Sequence, residues 1–574
     1  MLNPLCLSIA KRQWYNLPWR CAKLEKIIVT TALIYANGEI HLGHITSTYL
    51  PADIFVRYKR LQGADIIHVG ATDDFGTPIL VEAEKRGVSP EAFVAHWNQK
   101  DQKDYADLGI SFDVFDKTSS KENIELVQYF FTKLYDKGYI YKQSVLQPYC
   151  PKDQKFLPDR YVKGTCPYCG AEDQYSDGCE QCGRTFQPSE VLNPHCAICG
   201  STPVARESEH YFFKLTEFAE PLKKWLTENE NLQSDVKNYV LNWIKEGLRN
   251  WDISRDIHWG VPIPLDEANG KVLYVWFDNH ICYIAAALKY FKEKGVDGKK
   301  AWNASTIYHF IGKDIVYHHY LFLPAMRLGV NEYKLPDYIP TRGYFLLEKQ
   351  KFSKSRGWYI SLRSFLDRFP PDYLRYYLAA ITPYSQLDVN FDWNDFQRRI
   401  NNELIANVGN FIHRTLTFIH ANYDGKVPKP DAYDNLDKEL LNRMGKIADE
   451  VARELDKNEL SRGLRRIIEF AAFCNQYFQQ KQPWTDKEKA KTCLYLSANA
   501  TRALAVLLHP YLPFSTQRLW QQLNLEGKVQ EQNWKTASEL AIPAQHQINQ
   551  PKVLFKKIED QEIETERRKL KKKA

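Results

Sequence analysis

Nowhere in the 574 residues do about 18 apolar residues run without interruption, so the sequence offers no membrane-spanning helix. It has no internal repeat, which excludes repeat arrays, and no low-complexity segment before the basic tail at Arg567–Ala574. Acidic residues are missing before Glu25, while Lys11, Arg12, Arg20 and Lys23 stand there. That stretch reads either as an organellar leader or as an extension from an upstream start codon. One serine and two tryptophans make it a poor leader. Disulfides are not expected either. Seven of the twelve cysteines fall between Cys150 and Cys199, mostly in CxxC pairs with no secretory signal ahead, a pattern that favours metal. What is present suits a large soluble chain. The apolar fraction of 44% over this length supports about three domains. A net charge of +7 is modest and compatible with nucleic acid. The 34 tyrosines and 14 tryptophans provide many stacking faces, most of them for cores.

Residues 27–150 alternate apolar runs with amphipathic ones. Ile27–Thr31 reads as a buried parallel strand. A turn follows at Tyr35-Ala36-Asn37-Gly38, and His41-Leu42-Gly43-His44 opens a helix running past Arg57 and Arg60. Strand, turn and helix in this order point free backbone N–H groups at an anion, and Gly43 lets a ligand approach closely. His41 and His44 are one helical turn apart, so both imidazoles face that ligand. Ile66–Gly70 is expected as the next strand, with Asp73 and Asp74 at its carboxyl end or capping a helix near Pro78. Val272–Phe277 and Thr306–Ile311 also read as strands, the latter leading into Gly312, Lys313 and Asp314. Gly343–Gly357 has glycines at both ends and the basic, hydroxyl-rich core Lys351-Phe352-Ser353-Lys354-Ser355, as a phosphate-binding loop would. After Asp388 the pattern turns helical at Asp395–His420, Asn435–Asp456, Leu460–Gln480 and Lys487–Leu508, which predicts an α-helical bundle.

Between Cys150 and about Ser208 the chain lacks an aliphatic core. Cys166, Cys169, Cys179 and Cys182 form two knuckles whose spacing fits a tetrahedral structural zinc site. Cys196 and Cys199 form a third knuckle. With Cys150 and Asp153 they make a second candidate site, the alternative being reduced cysteines. Neither set leaves the open position that hydrolytic zinc needs.

Taken together these stretches are far more specific than any one of them. His41–His44 resembles the first signature of class I aminoacyl-tRNA synthetases, and Lys351–Ser355 resembles their second, with Phe352 where methionine is usual. Within that class the chain is identified as a member of the methionyl-tRNA synthetase family. The stretches that carry this are Tyr35–Gly38, Asp73–Pro78, Phe156–Arg160, the cysteine knuckles, Ile253–Asp256, Val275–Asp278, His309–Asp314, Asn410 with Arg414, and Pro483-Trp484. The likeness covers roughly Ile27 to Asp560, and the knuckles leave no room for an editing domain.

The resemblance implies an α/β fold: a Rossmann-like parallel-sheet catalytic domain with a zinc-knuckle insertion, followed by an all-α anticodon-binding bundle. The expected divisions are an N-terminal extension at 1–25, catalytic halves at 26–149 and 209–340, and the insertion at 150–208. The second-signature loop and linker span 341–394, the bundle 395–545, and a C-terminal segment 546–574. It implies ATP-dependent activation of L-methionine and its transfer to tRNA(Met), initiator tRNA included. His41, His44, Lys351 and Lys354 would be catalytic. Gly43, Gly312, Asp314 and Ser353 would join them at ATP, which brings Mg²⁺ with it. Leu33 and Asp74 would hold the substrate ammonium, and Tyr35, Trp276, Tyr283 and His319 would line its side-chain pocket. Structural Zn²⁺ would sit in the knuckles, and Asn410, Arg414 and Trp484 would read the anticodon.

Some positions depart from the family. Asn279-His280 replaces a usual Ala-Pro pair, Cys282 a Gly, His318 a Phe and Leu323 a Trp. A more polar pocket favours a substrate able to form hydrogen bonds. The alternatives are therefore a class I paralogue with altered amino acid choice, or a zinc-dependent nucleic-acid-binding protein without catalysis. The latter fits poorly with intact His41, His44, Lys351 and Lys354. No dimerisation domain is recognised after Asp560, so a monomer is expected, in the cytoplasm unless the first residues direct organellar import.

Overall fold

The computed structural model describes residues 25–176, 179, 181–182, 190–268, 270–352 and 357–573. Residues 1–24 of the N-terminal extension, together with Ser353 and Lys354, lie outside the described residues. The catalytic half is built on a parallel sheet. The central strand Lys26–Thr31 pairs on one side with Asp65–Asp73 and on the other with Thr306–Gly312, with Val29 opposite both His68 and Tyr308. Thr341–Arg342 extends the sheet beyond Thr306–Gly312. Ile34–Tyr35 and Val114–Lys117 both pair with Asp65–Asp73. Consecutive strands thus lie on opposite sides of the first one, and at this reversal the carboxyl ends of open α/β sheets bind ligands. The core strands are buried on both faces, which is why they read as continuous β-branched runs rather than alternating ones.

Several expectations are corrected in detail. The second strand extends from Asp65 through Asp73, beyond the expected Ile66–Gly70. The helix after it is Thr77–Arg86, capped by Gly76, so neither aspartate caps it. Gly76 has φ of 101°, a conformation that favours glycine. Val272–Phe277 is not a strand throughout. Val272–Leu273 pairs briefly with Ser254–Arg255, and a helix begins at Val275 and runs to Glu293. A short apolar run does not distinguish a buried strand from a buried helix. Here Trp276, Asn279, Tyr283 and Ala287 recur at helical spacing. The expected helix from His41 exists but is interrupted: Leu42–His44 is α, Ile45–Tyr49 is π, and Leu50–Leu61 is α again.

The insertion stands on a long antiparallel ribbon, Ile140–Cys150 with Val204–Phe213, paired from Val204 opposite Tyr149 to Phe213 opposite Ile140. The basic loop starts as a hairpin. Phe345–Leu347 and Gln350–Lys351 flank Glu348 and Lys349, which have φ of 48° and 67°. After the loop, His41 bridges to Ser361, Leu42 N–H donates to the Ile360 carbonyl (3.1 Å) and Leu362 N–H to that of Ile40 (2.7 Å). The chain at Ile360–Leu362 is thereby held beside the first signature.

The bundle contains Asn410–Asn422, Asn435–Leu455, Leu460–Lys481 and Lys487–Leu508. Its core is continuous with that of the first helical segment through residues such as Tyr58, Tyr376, Leu464 and Tyr511. Arg375, fully buried on the helix Pro371–Ile381, fastens the two halves. Its guanidinium donates to Asp53 (2.7 Å) and to the carbonyls of Tyr511 and Pro510 (2.9 and 2.8 Å).

Candidate active site

A cavity of about 710 Å³ opens at the sheet's reversal. The turn after the first strand contributes Leu33 and Tyr35. The interrupted helix contributes His41, Gly43, His44 and Ser47, and the end of the Thr306–Gly312 strand contributes Gly312 and Asp314. Trp276, Asn279 and Tyr283 enter from the Val275–Glu293 helix, and His319 from the turn beyond Asp314. Lys351 and Phe352 close the rim. The structure therefore gathers residues from five separate stretches that the sequence singled out. Sequence reasoning passed over Ser47, Thr48 and Ile315, which also line the cavity and carry no local signal of it.

The two imidazoles at the cavity stack, with ring centres 3.6 Å apart. His41 backbone N–H donates to His44 Nδ1 at 3.3 Å, which leaves Nε2 of a neutral His44 as its N–H donor. The glycines leave room for neighbouring side chains: an added Cβ at 43 would come to 3.0 Å from the His41 ring, and at 312 to 2.5 Å from Asp314 Oδ1. Burial pushes the Asp314 carboxyl up.

His319 lines the cavity and belongs to a cluster of histidines packed behind its wall. His319 Nδ1–H donates to the Ile315 carbonyl (3.0 Å), so Nε2 accepts from the Tyr283 hydroxyl (3.0 Å). Burial holds His319 down at about 4, so this pair is neutral at physiological pH. His309 is bonded to Thr30 and accepts from Arg327 at 3.1 Å. His318 lies flat on Trp276, ring centres 3.8 Å apart. His280 is fully buried and neither ring nitrogen has a hydrogen-bond partner among the described residues. Burial pushes His280, His309 and His318 well below the usual histidine range.

The adjacent aspartates part ways at the end of the Asp65–Asp73 strand, Asp74 being the first residue beyond it. Asp73 lines the cavity, and Asp74 does not. Asp74 is fully buried behind the wall, where it accepts from the Ser119 hydroxyl, while its carbonyl accepts from Trp259 Nε1 at 2.7 Å. Of the two carboxylates, Asp73 is the one at the cavity surface and Asp74 the one behind it. Burial pushes the Asp73 and Asp278 carboxyls up, Asp73 standing close to Asp74 and Asp278 close to both.

In the insertion, Cys166, Cys169, Cys179 and Cys182 place their sulfurs within 4.8 Å of one another, and so do the ligand atoms of Cys150, Asp153, Cys196 and Cys199. Within the second set Asp153 Oδ2 lies 3.3 Å from Cys150 Sγ and 3.2 Å from Cys196 Sγ. Both sets fit the compact, closed donor shell of a structural metal.

On the bundle, Trp484 is 43% exposed. Arg414 places its guanidinium 5.4 Å from the Trp484 ring centre and 4.9 Å from that of Phe478, and donates to Gln479 Oε1 at 3.1 Å. Asn410 is exposed one turn earlier, at the start of the same helix.

Two family models match the chain: tRNA synthetases class I (M) over residues 27–416, and the anticodon binding domain of methionyl tRNA ligase over residues 427–573. Methionine--tRNA ligase of Methanopyrus kandleri is 43% identical over 550 residues, covering 94% of this chain and 81% of its own. That of Methanobrevibacter smithii is 44% identical over 556 residues, covering 96% and 83%. That of Pyrococcus abyssi is 44% identical over 561 residues, covering 94% and 77%. In fold, the chain is similar to Mycobacterium tuberculosis methionyl-tRNA synthetase in complex with methionyl-adenylate. The TM-score is 0.78 at 24% identity, over 93% of this chain and 99% of that one.

Proposed function

The chain belongs to the methionyl-tRNA synthetase family of class I tRNA synthetases, and on that premise we propose how its residues join methionine to tRNA. The methionine carboxylate attacks the α-phosphorus of ATP in line and expels pyrophosphate. The methionyl group then passes from AMP to the 3′ end of tRNA. A carboxylate is already nucleophilic at pH 7, so the residues supply position and charge rather than a general base. His41 and His44 donate to the phosphates, Gly43 and Gly312 let the nucleotide lie against the backbone, and Asp314 faces the adenosine. Lys351, with Ser353 and Lys354, neutralises the departing pyrophosphate. Mg²⁺ bound with the triphosphate would supply further charge neutralisation there.

Leu33, through its backbone, and Asp73 hold the substrate ammonium, with Asp74 bracing the strand end behind them. Tyr35, Trp276, Tyr283 and His319 form the side-chain pocket. The neutral Tyr283–His319 pair gives that pocket a polar edge without a charge, which suits a thioether. Zn²⁺ would be held by Cys166, Cys169, Cys179 and Cys182, and a second ion by Cys150, Asp153, Cys196 and Cys199, stiffening an insertion that has little apolar core. Residues 150–208 are that insertion and 395–545 the anticodon-reading bundle, where Trp484, Arg414 and Asn410 meet a CAU anticodon. We further infer a cytoplasmic monomer that charges initiator and elongator tRNA(Met) alike.

The observation that carries this reading is the cavity itself, where the His41–His44 turn, the Gly312–Asp314 strand end and Lys351 converge beside Asp73. The test is charging of tRNA transcripts with labelled methionine. A CAU transcript should be charged and one with an altered anticodon should not, whereas equal charging of both would overturn the anticodon assignment. One observation favours a second reading, a paralogue with altered amino acid choice: His280 presents an unpaired imidazole deep behind the pocket.

A further inference from the structure

Three large apolar side chains stand in solvent around the mouth of the cavity. Tyr344 is 44% exposed, Tyr239 51% and Leu387 72%, and each comes from a different stretch of chain. Tyr344 itself lines the cavity. Its main chain is fixed, its N–H donating to Asp388 Oδ1 at 3.0 Å and its carbonyl accepting from Val389 N–H at 2.8 Å. Leu387 belongs to the same rim. Its carbonyl packs so closely on cavity-lining Gly343 that a Cβ there would collide with it. Gln386 ties this loop to the Ser234–Glu246 helix, donating to Asp235 at 3.2 Å, and Tyr239 lies one turn further along that helix. Burial raises the pKa of the Tyr344 hydroxyl, and Asp314, Asp388 and Tyr239 add to it, which puts Tyr239 at the rim as well. From Tyr239 aromatic contacts lead inward. Ring centres lie 4.4 Å apart to Trp243, 5.4 Å on to Tyr317, 6.0 Å to Trp251, 5.0 Å to His318 and 3.8 Å to Trp276 in the cavity wall. The exposed patch is thus an outward continuation of the cavity. Exposed apolar patches joined to a site mark a surface that a partner covers. Lys313 is engaged by Asp388 at 2.5 Å and Asp235 by Gln386, so the patch offers flat faces rather than charge. Flat faces suit nucleic-acid bases, and only unpaired bases expose theirs.

We propose that Tyr344, Tyr239 and Leu387 form a stacking platform for the unpaired bases at the 3′ end of tRNA, holding that strand while its last ribose enters the cavity. The inference rests on the reading of this cavity as the site where the aminoacyl group passes to tRNA, a step that brings one single strand to this mouth. Stacking tolerates any base, so the platform recognises single-strandedness and not sequence. Choice among tRNAs stays with the bundle, and the platform acts on every tRNA that the bundle admits.

The experiment measures binding of two tRNA transcripts to the full-length protein and to Tyr239→Ala, Tyr239→Phe and Leu387→Ser. One transcript is intact with a CAU anticodon, and the other lacks the unpaired 3′ nucleotides. The parent should bind the intact transcript more tightly. Tyr239→Ala should weaken binding of the intact transcript roughly fivefold to a hundredfold and leave the truncated one as it was. Leu387→Ser should shift binding in the same direction by less, and Tyr239→Phe, which keeps the ring, should behave as the parent does. Methionine-dependent ATP–pyrophosphate exchange on the same samples needs no tRNA and so registers any loss of folded protein. Equal weakening for both transcripts, or an equal loss of exchange, would mark a packing role and overturn the proposal. So would a parent that binds the two transcripts alike. If the parent holds the intact transcript more tightly but charges it with no methionine, the functional reading fails and the platform stands.

Discussion

At the scale of single residues, the pair Asp73 and Asp74 separates what a motif indicates from what a side chain reaches. The sequence locates two carboxylates at a strand's end, and of the two only Asp73 lines the cavity. Asp73→Asn should therefore weaken methionine binding by about 2 kcal/mol or more, roughly thirtyfold in KM, because it removes the charge opposite the ammonium. Asp74→Asn should chiefly lower thermal stability, since Asp74 is occupied by Ser119 behind the wall. Exchange kinetics and melting curves of both variants check this, and the reverse pattern would restore Asp74 to the substrate. Lys351 belongs at the same scale. Lys351→Ala should slow adenylate formation by orders of magnitude with methionine affinity nearly intact, because its charge acts on a leaving group that develops only in the transition state. Equal single-turnover rates for variant and parent would remove it from that role.

At the scale of elements, legibility followed periodicity. The β-branched run Ile27–Thr31, the histidine pair flanking Gly43 and the long amphipathic repeats of the bundle each signal one structure, and each was found. Val272–Phe277 misled because a buried helix and a buried strand share an apolar composition. The π turns at Ile45–Tyr49, His318–Phe322 and Ile400–Gly409 left no trace in the sequence, although the first two hold residues of the cavity wall. Cysteine spacing, by contrast, gave both candidate metal sets directly. Purified, unchelated protein should contain about two Zn per chain, falling to about one in Cys196→Ser with the other set intact. Metal analysis showing one Zn in both proteins would remove the second site, and none in either would remove both.

At the scale of the whole molecule, the catalytic half and the bundle are fastened by charge as well as by apolar packing. Asp53, fully buried, accepts from Arg375 (2.7 Å), Arg57 (2.8 Å) and Ser111 N–H (2.8 Å). Burial works to raise its pKa, but the two guanidiniums prevail and hold the carboxyl well below the usual range. A depressed carboxylate stabilises the fold above its unfolded pKa of about 3.9 and loses that contribution as pH falls below it. Melting temperature should thus decline on acidification below about pH 4, and more gently in Asp53→Asn, which should already have lost roughly 3–5 kcal/mol at neutral pH. Parallel acid profiles for the two proteins would show that the pair does not govern this window. At the far end of the bundle, Trp484→Ala should cost about 1–3 kcal/mol in tRNA recognition if a base stacks on the exposed indole. Exchange should be untouched, since it needs no tRNA. A joint fall of exchange and charging would instead make Trp484 a packing residue against Phe478, whose ring centre is 6.4 Å away.

The measurement that bears most directly on the whole account is ATP–pyrophosphate exchange run with each of the twenty amino acids in turn. It reports the first chemical step alone, in the cavity formed by His41, Gly43, Asp73, Gly312 and Lys351. Rapid exchange with methionine and background rates with the other nineteen are expected. Exchange driven better by another amino acid, or by none, would contradict it.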